Sequence, residues 1–125
     1  MSSQPTHEQR QEFRLDKALT VFIELPAPMD QEPEIVISRC FDISANGLRV
    51  IADKALAQGA IVRASVQLPK NGAAIASKRC SLVAETKWAR PQGERGEWLM
   101  GLALYESEDS DIAQWKTFVA ELYLA

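Results

Sequence analysis

Two short motifs contain residue types that bind phosphate and purine groups in proteins. An RxxxR pattern runs from Arg10 to Arg14, and a DxSxxG pattern places Asp42, Ser44 and Gly47 in order. A guanidinium group pairs bidentately with phosphate oxygens and with the O6 and N7 acceptors of guanine. A carboxylate accepts from the guanine N1–H and 2-amino groups, a hydroxyl adds a contact, and glycine admits close backbone approach. Together the motifs indicate a site that recognises guanine and its negative charge.

The DxSxxG pattern is much the more specific of the two. With 8 arginines in 125 residues, an RxxxR pair arises by chance in roughly four of ten shuffled chains. A DxSxxG match is expected only about 0.02 times in a shuffled chain of this composition. The two patterns in this order are rarer still, so the joint match supports a ligand-binding hypothesis.

Each motif also has a purely structural interpretation. The second motif suits a hairpin turn, in which Asp42 and Ser44 bond to their own backbone and Asn46-Gly47 adopts positive φ. The two arginines of the first motif would then be solvated charges in a polar tail. From local chemistry alone, the turn interpretation of the second motif is the simpler one.

The rest of the chain has patterns that predict mostly β-strands. Val21, Ile23 and Leu25 alternate with polar positions after Thr20, which is the period of a half-buried strand. Similar patterns recur between Pro, Gly and Asn turn signals, and residues 53–57 are expected to be a loop. The pattern predicts about six strands, at 20–25, 34–43, 48–52, 61–68, 77–89 and 98–104.

The C-terminal segment changes from a strand period to a helix period. Its apolar positions have the spacing of an amphipathic helix, and Ser107 is the predicted N-cap. Glu108, Asp109 and Asp111 would lie in the first turn, where the helix dipole favours acidic groups, so this acidic run needs no calcium. The apolar stripe comprises Ile112, Trp115, Phe118, Val119 and Leu122.

Composition limits the remaining possibilities. A chain of 125 residues with 46% hydrophobic and 25% charged residues predicts one soluble globular domain. The net charge of −3 argues against a general attraction to nucleic acid or to an anionic membrane. No apolar stretch is long enough to span a membrane, and the polar N-terminus does not resemble a secretory signal. Two distant cysteines favour a reducing cytoplasm.

Catalytic chemistry is poorly represented in the sequence. The single histidine, His7, lies in a polar N-terminal segment, predicted to be a flexible arm over residues 1–14, where no second group is positioned beside it. No nucleophile elbow, phosphate-binding glycine loop or metal-spaced cluster occurs. These features predict a protein that is not an enzyme and has no metal site.

The motifs and the element pattern together resemble the PilZ domain, a bacterial receptor module for the second messenger cyclic di-GMP. Its signature is RxxxR followed, some tens of residues later, by D/NxSxxG, and the likeness extends over most of the chain. The resemblance implies a mainly β fold: a six-stranded antiparallel β-barrel with one C-terminal α-helix over residues 15–125, preceded by the flexible arm. It also implies cyclic di-GMP as the ligand and no cofactor.

The resemblance assigns ligand contacts to both motifs and suggests one more. Trp88 lies on a strand near where some family members set a side chain against a ligand base, and its ring could stack there, although such a residue is more often core. Arg39, Arg49 and Arg90 could add positive potential, but the strand period does not say which face they occupy. The candidate ligand-binding residues are therefore Arg10, Arg14, Asp42, Ser44, Gly47 and Trp88.

The resemblance implies an adaptor whose arm orders on the nucleotide and changes a surface seen by a protein partner. Gln9 and Gln11 stand where many family members carry further basic residues, so the arm offers less charge to a ligand. The alternative is a PilZ-fold interaction module that does not bind nucleotide. A small barrel that binds single-stranded nucleic acid is disfavoured by the net charge.

Overall fold

The computed structural model describes residues 13–69 and 78–124, which form six strands and one helix. Every strand pairing is antiparallel, and the strands close into a barrel in the order β1-β2-β3-β6-β5-β4. The predicted fold, a six-stranded antiparallel barrel with a C-terminal helix, is confirmed. The elements are β1 Phe13–Leu25, β2 Glu34–Ser44, β3 Gly47–Ala52, β4 Ile61–Gln67, β5 Arg79–Gln92, β6 Glu97–Leu104 and α1 Ile112–Leu124.

The barrel core is built from the alternating apolar positions of all six strands. In most strands buried side chains alternate with more exposed ones, as the period of two requires, whereas β6 buries three consecutive residues. Burial of this continuous apolar interior is the main favourable term for the fold. The fully buried side chains include Val21, Ile23, Val50, Val66, Leu82 and Met100.

The first strand begins earlier than the alternation indicates. β1 starts at Phe13 rather than at Thr20, because β2 continues far enough to pair Phe13 with Ile43. Tertiary pairing therefore extends the strand beyond the residues whose alternation predicts it. Residues 1–12 of the predicted arm lie outside the described residues, whereas its last two residues, Phe13 and Arg14, belong to β1.

The hairpin between β2 and β3 forms where Asn46-Gly47 predicts it, but with different backbone geometry. The two turn residues are Ala45 and Asn46, and Gly47 is the first residue of β3, paired with Ser44. Neither Asn46 nor Gly47 has a positive φ. The expectation of positive φ at this dipeptide is therefore wrong, and the glycine is needed for another reason, given below.

The helix begins later than its acidic residues indicate. α1 starts at Ile112, so the expectation that Glu108, Asp109 and Asp111 lie in its first turn is wrong. Ser107 opens a preceding turn instead of capping the helix, since its carbonyl accepts the N–H of Ser110. The first helical bond runs from the N–H of Trp115 to the carbonyl of Asp111.

Two hydrogen bonds between Asp111 and β5 explain this helix boundary. The N–H of Asp111 donates to the Ser81 carbonyl at 2.8 Å, and its carboxylate accepts the Ser81 N–H at 2.8 Å. These bonds fix the backbone of Asp111 on β5, so the helix begins at the next residue, Ile112. The helix then covers the barrel with its apolar stripe, in which Trp115 and Val119 are buried.

Candidate functional site

The second motif lines a cleft on the outer surface of the barrel. The cleft has a volume of about 350 Å³ and is formed by β2, β3, β5 and β6. It brings together four of the predicted site residues, Asp42, Ser44, Gly47 and Trp88. The complete lining is Asp42, Ile43, Ser44, Gly47, Leu48, Arg49, Lys87, Trp88, Gly101 and Leu102.

Arg14 of the first motif lies directly beside Asp42 of the second. The two residues are register partners on β1 and β2, and Arg14 Nη1 lies 3.3 Å from Asp42 Oδ2 and 3.5 Å from Oδ1. The Arg14 side chain is 71% exposed, so its guanidinium can also reach a ligand. It also lies 5.2 Å from the centre of the Phe41 ring, a cation–π contact.

An irregularity in β1 creates this pairing. Arg14 pairs with Asp42, whereas Leu19 pairs with Cys40, so four residues of β1 span the interval that one residue spans on β2. The β2–β3 register also shifts between Cys40 and Asp42. Such bulges redirect side chains locally, which places the second arginine of RxxxR beside the cleft. Arg10, the first arginine, lies outside the described residues.

Asp42 is shared between two cationic side chains. Its Oδ2 lies 3.8 Å from Nε of Arg49, its register partner on β3, as well as near Arg14. Each exposed ion pair contributes at most about 1 kcal/mol, because solvent screens it. The arrangement therefore orients groups more than it stabilises the fold, and it leaves guanidinium and carboxylate groups facing one opening.

Ser44 is occupied by bonds within the hairpin. Its hydroxyl accepts the N–H of Asn46 at 3.3 Å and donates to the Gly47 carbonyl at 3.4 Å. Its carbonyl accepts the indole N–H of Trp115 at 2.9 Å. These are the local bonds that the structural interpretation of the motif expects, and they hold the turn that forms one wall of the cleft.

Gly47 is required by a close approach of two strands. A Cβ at this position would lie 2.8 Å from the Leu102 carbonyl oxygen on β6. Contacts this short are essentially absent between real Cβ and backbone atoms, so a larger residue would push β3 and β6 apart. The glycine of the motif therefore serves the barrel wall behind the cleft, with an ordinary backbone φ.

Trp88 is directed outward by a third bulge and does not belong to the core. The β5–β6 register shifts between Thr86 and Trp88, which ends the buried alternation of β5. The indole then packs on Gly101, where a Cβ would lie 2.4 Å from its Nε1. The Arg90 guanidinium lies 5.1 Å from the ring centre. Trp88 is partly exposed, as base stacking requires.

The cleft also contains charged residues that lie outside the two motifs. Arg49 and Lys87 add positive charge to the lining, while Arg39 is held away from it by two bonds to Glu97, at 3.0 and 3.2 Å. The hydrogen bond with Glu97 raises the pKa of Arg39 above its ordinary value. The described ranges contain no cluster of three or more metal-ligating side chains, and no helix within them is long and apolar enough to cross a membrane.

The model of the PilZ domain family matches residues 8–121, which is nearly the whole chain. The chain belongs to the PilZ domain family. The family match includes both motifs, which the structure brings to one cleft as far as it describes them. No curated protein matches the chain.

Solved structures agree with this PilZ fold. The Bacillus subtilis inhibitor of motility MotI/DgrA matches with a TM-score of 0.63 and 19% identity, covering 98% of this chain and 57% of its own. The PilZ domain of YcgR from Escherichia coli, in a structure with c-di-GMP, matches with a TM-score of 0.60 and 14% identity over 92% of each chain. The PilZ domain described here thus spans little more than half the length of the MotI/DgrA chain.

Gly101, like Lys87, is a cleft residue of this PilZ domain that the sequence analysis did not identify. Its role depends on the packing of Trp88 from β5 onto β6, so no local sequence pattern predicts it. Arg49 had a usable signal, because a hairpin at 45–46 necessarily brings the start of β3 beside Asp42. Lys87 had none, since it faces the cleft only through the bulge in β5.

Proposed function

We propose that this PilZ domain is a receptor for cyclic di-GMP (c-di-GMP) that acts as an adaptor for a protein partner. The observation that carries the proposal is the side-by-side placement of Arg14 and Asp42, one from each motif, at the mouth of a cleft. Two motifs separated by 28 residues thus contribute to one site. The match to a PilZ domain structure with c-di-GMP supports the same ligand class.

The cleft chemistry fits the two kinds of group in c-di-GMP. The ligand has two phosphates and two guanines, and Arg14 and Arg49 provide guanidinium groups suited to phosphate oxygens or guanine acceptors. Asp42 can accept from the guanine N1–H and 2-amino group. The exposed part of the Trp88 ring offers a surface on which a base can stack, worth about 1–3 kcal/mol in comparable sites.

Arg10 supplies the other guanidinium of RxxxR in this proposal. The segment that carries it orders on the nucleotide, and two arginines holding phosphate or guanine groups offset the entropy of ordering. The ordered segment alters the surface offered to a protein partner. This role is regulatory and non-enzymatic, and we place it in the bacterial cytoplasm.

A second candidate is a PilZ-fold interaction module that binds no nucleotide. It is favoured by the bonds of the motif residues to one another: Asp42 lies against Arg14 and Arg49, and the Ser44 hydroxyl is used within its turn. Binding of c-di-GMP requires at least the Arg14–Asp42 contact to be exchanged for ligand contacts. The cost is small, because the pair is exposed.

Isothermal titration calorimetry separates the two candidates. The purified chain is titrated with c-di-GMP, with GMP and cyclic di-AMP as ligand controls, and the Arg10→Ala/Arg14→Ala variant is titrated beside it. The receptor proposal expects saturable binding of c-di-GMP that the other ligands and the variant lack. Absence of binding by the intact chain would favour the interaction module.

A further inference from the structure

A second surface of the barrel is exposed and apolar, far from the cleft. On the outer face of β1 and β2, Ile35 is 50% exposed and Ile37 is 64% exposed, and Phe22 is partly exposed beside them. The connection between the two strands carries Met29, which is fully exposed. We call these outer side chains together with the connection at 26–33 the hairpin surface.

The strand register makes the hairpin surface continuous. Ile37 pairs with Phe22, and Ile35 pairs with Glu24, so these side chains lie in adjacent rows on one face of the sheet. Ile37 precedes Asp42 by five residues on β2, which corresponds to about 16 Å along the strand. The hairpin surface is therefore separate from the cleft, although both use β2.

The hairpin surface has an acidic border, most of which forms no ion pair within the described part of the chain. Glu24, Asp30 and Glu32 are exposed, and none forms an ion pair with another described residue. The fourth carboxylate, Glu34, is paired with Lys54 at 2.7 Å. The face thus combines apolar side chains with uncompensated negative charge.

The nearby arginines do not neutralise this border. Arg63 is the register partner of Glu24, but its guanidinium bonds to the Ser81 hydroxyl at 2.9 Å and lies 3.5 Å from the Asp109 carboxylate. Arg79 lies over the Phe22 ring, 5.0 Å from its centre. Arg63 is therefore engaged elsewhere, whereas Arg79 is the one described arginine on the hairpin surface itself, and a single cation leaves the negative charge of the three carboxylates in excess.

We infer that the hairpin surface binds a segment of a second protein in which apolar side chains are flanked by Lys or Arg. The apolar side chains would cover Ile35 and Ile37, and the cations would meet the three free carboxylates. An anionic membrane would be repelled by this border, and so would an identical surface on a second copy. The inference rests on the adaptor role proposed above, since an adaptor needs a partner surface, but it does not depend on nucleotide binding.

The first test uses two synthetic peptides and the full chain. Amide shifts of the ¹⁵N-labelled protein are followed while it is titrated with capped Lys-Val-Lys-Val-Lys-Val-Lys or with its Glu-for-Lys counterpart. We expect the basic peptide to perturb amides within residues 22–37 and the acidic peptide to leave them unchanged. Equal perturbation by both peptides, or shifts confined to the cleft, would overturn the inference.

Surface variants then identify the residues responsible. Ile35→Ser/Ile37→Ser is expected to weaken binding of the basic peptide by about tenfold or more. Tyr105→Ser is the matched control, because Tyr105 is 41% exposed after β6, away from β1 and β2, and this variant should bind as the intact chain does. Equal losses in the two variants would contradict the assignment.

Two further experiments test the role of the carboxylates and whether the chain self-associates through this surface. Glu24→Gln/Asp30→Asn/Glu32→Gln should weaken binding to a similar degree, and salt raised from about 0.05 to 0.5 M should do the same to the intact chain. Dimerisation of the intact chain that Ile35→Ser/Ile37→Ser abolishes would show that a second copy occupies the surface and would overturn the inference. Ile35→Ser/Ile37→Ser is also titrated with c-di-GMP. Its nucleotide affinity is expected to be unchanged, which distinguishes partner binding at the hairpin surface from nucleotide binding in the cleft.

Discussion

The indole N–H of Trp115 donates a hydrogen bond to the carbonyl of Ser44 at 2.9 Å, across 71 residues of chain. Trp115 is fully buried at the base of α1, and Ser44 ends β2 within the DxSxxG motif. The C-terminal helix is therefore attached directly to the turn that borders the cleft. A displacement of that turn would therefore shift the helix, and a displacement of the helix would shift the turn.

Trp115→Phe is expected to lower the free energy of unfolding by about 1–3 kcal/mol, because it removes this bond and leaves a small cavity. Chemical denaturation monitored by circular dichroism measures the loss. Nucleotide affinity should also fall, since the turn loses its support. A variant as stable as the intact chain would show that the indole bond contributes nothing.

Arg14→Ala is expected to weaken c-di-GMP binding by roughly tenfold to a hundredfold, the loss of one charged hydrogen bond or more. Calorimetric titration gives the affinity. Arg79→Ala is the matched control, because Arg79 also stacks on a phenylalanine but lies outside the cleft. Equal affinities for Arg14→Ala and the intact chain would remove Arg14 from the site.

Asp42→Ala is expected to weaken nucleotide binding to a similar extent while the fold persists. The exposed pair with Arg14 contributes little stability, and the hairpin closes through Ser44 and Asn46. Thermal melting and calorimetry on the same preparation separate the two effects. A variant that no longer folds would instead support the structural interpretation of Asp42.

Gly101→Ala is expected to displace Trp88, because the new Cβ would lie 2.4 Å from its Nε1. The variant should lose stability by about 1–3 kcal/mol, as overpacked sites do, and bind the nucleotide less tightly. Combining it with Trp88→Ala removes the clash, so the double variant should be more stable than the sum of single effects predicts. Simple additivity of the two substitutions would contradict this packing.

The two buried thiols predict lower stability in alkaline solution. Burial raises the pKa of Cys40 to about 12, with a further contribution from Asp42, and that of Cys80 to about 11. In the unfolded chain both thiols ionise near their usual pKa of 9.0. The thiols' contribution to the free energy of unfolding is therefore complete below pH 9.0 and is lost as the pH rises through the pKa values of the folded state.

Unfolding free energies measured across this alkaline range test the thiol prediction. The stability of the intact chain should fall as pH rises, and Cys40→Ala/Cys80→Ala should show a shallower decline. Both thiols of the folded protein should also react slowly with thiol reagents, because the thiolate is the reactive form. Parallel pH profiles for the two chains would show that other groups cause the decline.

Strand alternation predicted the barrel well because the inward positions are apolar almost without exception. It did not predict residues 13–18 as strand, because this extension depends on the pairing of Phe13 and Arg14 with β2 across a bulge. The start of the helix was also misplaced. The acidic run has the pattern of a capped first turn, but Asp111 is bound to Ser81 on β5 and the helix begins after it. In both cases a partner distant in sequence overrides the local preference.

The same distinction between local sequence and distant partners applies to the candidate site. The strand period, the final helix and the two motifs with their guanidinium, carboxylate and hydroxyl groups can be predicted from residue type and short-range spacing. Three relationships become visible in the folded barrel: Arg14 meets Asp42, Trp88 lies on Gly101 outside the core, and Gly47 is needed beside Leu102. Those relationships arise from register and bulges between strands, which are set by the closure of the whole barrel rather than by any one segment.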